Sequence, residues 1–164
     1  MASPKTVRCR EINGELSDPI PVDWLTDRIS VYGIIIQNNY VLLVPQWDGY
    51  DFPGGGKDHG ETLPETLVRE CREETGLTVQ QDSLVSVSED FFIHPYKRDY
   101  HHTILIYYSA TVIGGTLSSS GFDEHEQQYA QKAKWIPLQT VPHLSFYNPV
   151  DSVTLIQYVQ SQVA

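Results

Sequence analysis

The chain has 164 residues, 40% of them hydrophobic, and a formal net charge of −10. That size and apolar content suit one globular domain with a real core, while the acidity excludes non-specific attraction to nucleic acid or an anionic membrane surface. An anionic ligand would therefore need metal or local arginine, and runs such as "GIII" and "VLLV" are far shorter than the ~20 apolar residues that span a bilayer.

The first residues, "MASPKTVRCR", carry charge without an apolar run and do not read as a secretory signal, so the expected location is the cytoplasm. Cys9 and Cys71 are the only cysteines and are expected to be free thiols. Residues 1–27 read as an arm: "INGEL" suits a small turn or hairpin, and Pro19 and Pro21 lead into the core. Residues 28–164 then form the main domain.

From Arg28, "RISVYGIII" and "YVLLVPQ" read as two core strands joined as a hairpin by "QNN". "WDGYDFPGGGKDHGE" follows as a turn-rich loop. Thr62 and Glu65 make a capping box, Pro64 falls in the first turn, and Gly76 suits the position just past the end, which predicts a helix from about Leu63 to Thr75. "LVSVSEDFFIHPY" and "YHHTILIYYSATVI" read as strands joined at "KRD". After the partly acidic connection "GGTLSSSGFDEHEQQ" come a short strand in "AKWIPL" and a helix in "PVDSVTLIQYVQSQV", where Val153, Ile156 and Val159 recur at helical spacing. This order is α+β or mixed α/β, since strands and helices do not alternate as βαβ units.

On the first helix Leu67 and Cys71 face the core, whereas Glu70, Glu73 and Glu74 share another face at i, i+3 and i+4. Like charges at that spacing repel, and a cation reverses the cost. Charge pattern alone favours a solvated face laced with salt bridges, because Arg69 follows Glu65 and precedes Glu73 by four residues; it is the spacing outside the helix that turns the reading. Hard divalent ions such as Mg²⁺ take one or two carboxylates together with phosphate oxygens and water. "GGGK" is not a phosphate-binding P-loop, because Ser or Thr does not follow Lys57 and no earlier glycine has the required spacing.

Gly55, Glu61 and "RECREETGL" from Arg69 to Leu77 resemble the Nudix box, G-x5-E-x7-R-E-U-x-E-E-x-G-U, where U is a bulky aliphatic residue. Every fixed letter is in register, and Cys71 at the first U is a departure that affects packing rather than chemistry. The resemblance implies an α/β/α sandwich with a mixed sheet between helices, and metal-dependent hydrolysis of a nucleoside diphosphate linked to another group. It implies Mg²⁺ or Mn²⁺ held by Glu70, Glu73, Glu74 and the Gly54 carbonyl, with Glu61 in support. Arg69 would orient Glu70, which binds metal or accepts a proton from water. In this family the general base is either a box glutamate or an acid on a later loop, where Glu124 and Glu126 stand, and Glu126 is the candidate taken here.

Tyr96, Lys97 and Arg98 at the "KRD" turn are candidate substrate contacts, with a solvated turn as the plain alternative. His94, His101 and His102 near the same turn lack the ligand spacing of a zinc site. A small-molecule nucleotide is the expected partner, with a nucleoside triphosphate first, then a dinucleoside polyphosphate or a nucleotide sugar. No membrane partner is expected, and a homodimer remains open. A nucleotide-sensing module that does not cleave is the rival reading, against which the full acidic set argues.

Overall fold

A computed structural model describes residues 4–124, 127 and 130–163. In chain order these form β1 (Thr6–Val7), β2 (Ile20–Pro21), β3 (Leu25–Ile34), β4 (Ile36–Gln37), β5 (Tyr40–Gln46), β6 (Gly49–Asp51) and β7 (Gly54–Gly56). Helix α1 (Leu63–Thr75) follows, then β8 (Leu77–Ile93), β9 (Tyr100–Gly115), β10 (Lys134–Pro137) and helix α2 (Ser152–Val163). One sheet has the order β7-β3-β9-β8, and a second runs β10-β5-β4 with β6 also paired to β5. The first is mixed, because β3 pairs parallel to β9 while β7 and β8 join antiparallel.

Both helices cover strands that are apolar on two faces. In β5, Leu42 and Val44 pack in a cluster with Leu67 and Cys71 of α1, whereas Val41 and Leu43 pack with Ile156 and Val159 of α2. Period-2 alternation thus sends successive side chains to opposite helices, so "VLLV" reads as a continuous apolar run. β3 divides in the same way, with Val31 on the α1 side and Tyr32 and Ile34 on the other. The result is the expected α+β architecture, an α/β/α sandwich.

α1 begins and ends where its sequence predicts. Thr62 Oγ1 accepts a hydrogen bond from the Glu65 amide at 3.4 Å, and Glu65 Oε2 accepts one from the Thr62 amide at 2.7 Å. Gly76 takes a left-handed conformation, φ 76°, and its amide donates to the Arg72 carbonyl. Leu67 and Cys71 are fully buried, and burial pushes the Cys71 thiol well above its ordinary pKa. Both cysteines are free thiols.

Two expectations change. The first hairpin is confined to β4 and β5, turned by Asn38 and Asn39, both with positive φ. β3 itself belongs to the other sheet, between β7 and β9, and the chain crosses from that sheet to β4 at Ile35. The glycine run also proves to be strand β7, with Gly54 opposite Tyr32 and Gly56 opposite Ser30. Loop composition hid this pairing, since a Cβ at Gly54 would collide with the Val31 carbonyl oxygen. The later strands are longer than their apolar cores suggest, β8 starting at Leu77 immediately after the helix cap.

The arm packs on the sheet edge. Cys9 and Ile20 share a small core with Ile93 of β8, and the Ile93 amide donates to the Arg10 carbonyl. "INGEL" is the predicted turn, with Arg10 bridged to Leu16. No described helix is long and apolar enough to cross a membrane.

Candidate active site

β7 and α1 meet along the carboxylate face, and Arg69 is the hub between them. Its Nε donates to Glu61 Oε1 at 2.6 Å and its Nη2 to Glu61 Oε2 at 2.9 Å, a bidentate pair. Nη2 also donates to the Gly56 carbonyl at 2.9 Å, while Nη1 reaches Glu70 Oε1 at 2.9 Å and Glu73 Oε2 at 3.3 Å. One guanidinium thereby fixes the glycine strand, the loop carboxylate and two helix carboxylates. Asp58 lies 3.7 Å from Nε, so four acids surround one arginine.

Glu61 is held from the loop as well, accepting from the Asp58 amide at 3.0 Å and the Thr66 hydroxyl at 2.9 Å. The Arg69 hydrogen bond, helped by these donors, lowers its pKa to about 2. Glu61 in turn raises the pKa of Arg69.

The three helix glutamates differ in burial. Glu70 and Glu74 are buried, whereas the Glu73 side chain is 42% exposed. Glu74 Oε2 accepts from the Gly54 amide at 2.9 Å. A Cβ on Gly55 would stand 2.7 Å from the Glu70 carboxyl, so glycine there leaves room for a carboxylate directly against the strand. Among the described residues, no group of three or more His, Cys, Asp or Glu side chains is close enough to hold a metal ion unaided. The donors still suit a hard divalent cation: all are oxygens, the acids outnumber the arginine, and Mg²⁺ draws much of its shell from phosphate and water rather than from a protein cage.

The other expected residues lie elsewhere. Tyr96 packs against Trp47 with ring centroids 5.4 Å apart. Lys97 is exposed in the β8–β9 turn. Arg98 pairs with Glu11 of the arm at 2.8 and 3.1 Å. Glu126 lies outside the described residues, and Glu124 is exposed beyond β9. The register places the turn five residues along β3 from the glycine strand, Leu25 opposite Tyr100 against Ser30 opposite Gly56. At strand spacing that is roughly 16 Å.

Sequence reasoning did not single out a second group on the opposite face of β3. Asp51, Asn148, Tyr107, Arg10 and Arg28 line one cavity of about 130 Å³ there. No spacing rule connects them, because they come from β6, the segment before α2, β9, the arm and β3.

The chain matches the NUDIX domain family over residues 26–156. It is 34% identical over 128 residues to an ADP-ribose pyrophosphatase of Methanocaldococcus jannaschii, an alignment covering 75% of this chain and 69% of that one. Among solved structures, a UDP-X diphosphatase superposes with a TM-score of 0.62 at 18% identity, covering 86% of this chain and 66% of that one. A NUDIX hydrolase from Nitrosomonas europaea also gives a TM-score of 0.62, at 17% identity, covering 84% of this chain and 90% of that one. At such identities the structures speak for the fold, whereas the family match and the archaeal relative speak for the chemistry. With the glycine strand, the carboxylate helix and the bridging Arg69 in that register, the chain belongs to the Nudix family and is a Nudix-type pyrophosphohydrolase.

Proposed function

We propose that this protein hydrolyses the phosphoanhydride of a nucleoside diphosphate sugar of the ADP-ribose kind, ahead of the nucleoside triphosphate that the sequence reading put first. The change of order rests on the 34%-identical ADP-ribose pyrophosphatase. The observation that carries the hydrolytic reading is the Arg69 hub, which holds Glu61, Glu70 and the glycine strand in one rigid unit.

In this reading Glu70, Glu73, Glu74 and the Gly54 carbonyl hold Mg²⁺ or Mn²⁺, which supplies Lewis acidity and neutralises charge on the diphosphate. Arg69 holds Glu70 oriented against Gly55, and Glu61 keeps Arg69 in place. Glu70 accepts the proton of the attacking water, with Glu126 as the alternative acceptor. A P–O bond forms to that water, the bridging P–O bond breaks, and two phosphate monoesters leave. Burial of Glu70 and Glu74 limits competing water around the reacting atoms. Residues 1–27 serve as an appendage to this catalytic domain, which occupies residues 28–164.

The test is product release from ADP-ribose, other nucleotide sugars, nucleoside triphosphates and dinucleoside polyphosphates with Mg²⁺, beside a Glu73→Gln control. Cleavage of the sugar conjugates that is lost in the control is the expected result. Cleavage of triphosphates alone would return the substrate to the first expectation, and activity unchanged in the control would remove Glu73 from the site.

A further inference from the structure

We infer that the open cleft between residues 57–59 and the β3–β9 face is a subsite for the second sugar of the substrate, with Asp27 accepting from its hydroxyls and Ile29 and Ile104 beneath its ring. This rests on the nucleotide-sugar reading above and names the residues that favour such a conjugate over a triphosphate.

The cleft exists because α1 covers only part of its sheet. Asp27, Ile29 and Val31 share one face of β3 by alternation, and Val31 is fully buried in the α1 core, whereas Ile29 is 40% exposed. In register, Ile29 stands opposite Ile104 and Asp27 opposite His102. Two β-branched side chains thus form a flat apolar floor with a polar row beside it. The second wall is the chain leaving β7: the Lys57 amide donates to the Ile29 carbonyl at 2.8 Å, which holds residues 57–59 alongside the strand. The space between the walls is about 520 Å³, room for a sugar phosphate.

The polar row is fixed by His102, which stacks on Phe91 with ring centroids 4.7 Å apart. Its ring nitrogens lie 3.2 Å from Asp27 Oδ1 and 3.3 Å from Glu89 Oε2. The imidazole therefore orients the Asp27 carboxylate through one oxygen, and Oδ2 makes no hydrogen bond among the described residues. A carboxylate beside an aliphatic floor suits a ring with hydroxyls on its rim and C–H groups on its face. A base would find aliphatic side chains where it needs a stacking ring, and a terminal phosphate would meet the Asp27 and Asp58 carboxylates.

The location follows from the same residues. Asp58 Oδ2 lies 3.7 Å from Arg69 Nε, so the cleft opens beside the arginine that holds Glu70 and Glu73. Arg28, whose guanidinium packs against Gly56, and Lys57 also line the cleft and add positive charge where a diphosphate leaving the carboxylate face would pass.

The experiment compares ADP-ribose with the methyl ester of ADP, which carries the same diphosphate charge and no second sugar. Calorimetric titration of the metal-free protein should give about 10-fold tighter binding of ADP-ribose, as expected for a hydrogen bond to a charged acceptor. D27A is expected to erase that advantage, and so is I29W, which lays an indole over the exposed floor, with the melting temperature unchanged in both. Equal affinity for the two esters, binding of neither, or an advantage that survives in either variant overturns the subsite. Product release with Mg²⁺ separates this from the function: cleavage of ADP-ribose without the advantage keeps the hydrolase and removes the subsite, and the advantage without cleavage of any conjugate does the reverse.

Discussion

The two faces of β3 carry different kinds of site. On the α1 side, one arginine is shared among Glu61, Glu70, Glu73 and Asp58, all within a dozen residues of it in sequence. On the α2 side, each polar group is held by a partner from a distant segment: Arg10 by Asp90, Asp51 by Asn148. The first face is acidic and underneutralised, which suits a cation and a phosphate chain. The second is close to charge balance, and the Tyr107 hydroxyl on it has no hydrogen-bond partner among the described residues. A single strand can therefore present charge on one side and shape on the other, because successive side chains alternate.

The sharpest way to break this division is E70Q. Loss of a proton acceptor predicts a fall in kcat of roughly 10²- to 10⁴-fold with KM little changed, read by product release at saturating Mg²⁺. An unchanged kcat would move the acceptor to Glu126. R69A leaves Glu61 and Glu70 without their shared partner. It is expected to cost about 2 kcal/mol in urea denaturation, less than a fully buried pair because Arg69 stays 26% exposed. R69K would not restore it, since an ammonium cannot span the Glu61 fork and the Gly56 carbonyl together.

The two faces also respond oppositely to acid. Asp51 is raised from 3.8 to about 6, so the folded state holds its proton more tightly. It adds stability below the unfolded value that is lost as pH rises through about 6, a swing of about 3 kcal/mol. Glu61 is lowered from 4.5 to about 2, so its contribution is present above the unfolded value and lost as pH falls toward 2. Thermal melts across this range should show D51N losing the gain between about pH 6 and 4, and E61Q losing the decline below it. Identical pH profiles for both variants and the parent would refute the assignment.

A smaller effect separates void from bond. Y107F removes a buried hydroxyl that has no hydrogen-bond partner among the described residues, so the protein should gain about 1 kcal/mol in urea denaturation. A loss of stability would mean that the hydroxyl is already bonded. Smallest of all, R98A breaks an exposed pair with Glu11 and should leave the melting temperature unchanged.

The contrast also explains what could be read in advance. Glu70, Glu73 and Glu74 were legible because helix spacing converts sequence distance into direction, and Thr62 and Gly76 marked where that helix starts and stops. Gly54 was named as a candidate metal ligand and Gly55 as a letter of the box, but neither was read as part of a strand, since their pairing depends on β3 rather than on their own propensity. Asp51 and Tyr107 were not legible at all: one looked like a turn aspartate and the other like a strand tyrosine. Their meaning comes from contacts such as Asp51 with Asn148, 97 residues apart. Arg98 shows the reverse: a basic turn residue offered as a substrate contact is paired with Glu11 of the arm, a contact that no spacing rule announced.

The bond from Arg10 to the Tyr147 carbonyl spans 137 residues, nearly the whole chain. During synthesis the arm must therefore wait, unpaired on that side, until the segment around Tyr147 has emerged. The carboxylate helix and its arginine can assemble from a local stretch, whereas closing this wall is a long-range, entropically slow event. The carboxylate helix is thus set by local sequence, whereas the wall between the arm and the segment before α2 closes late.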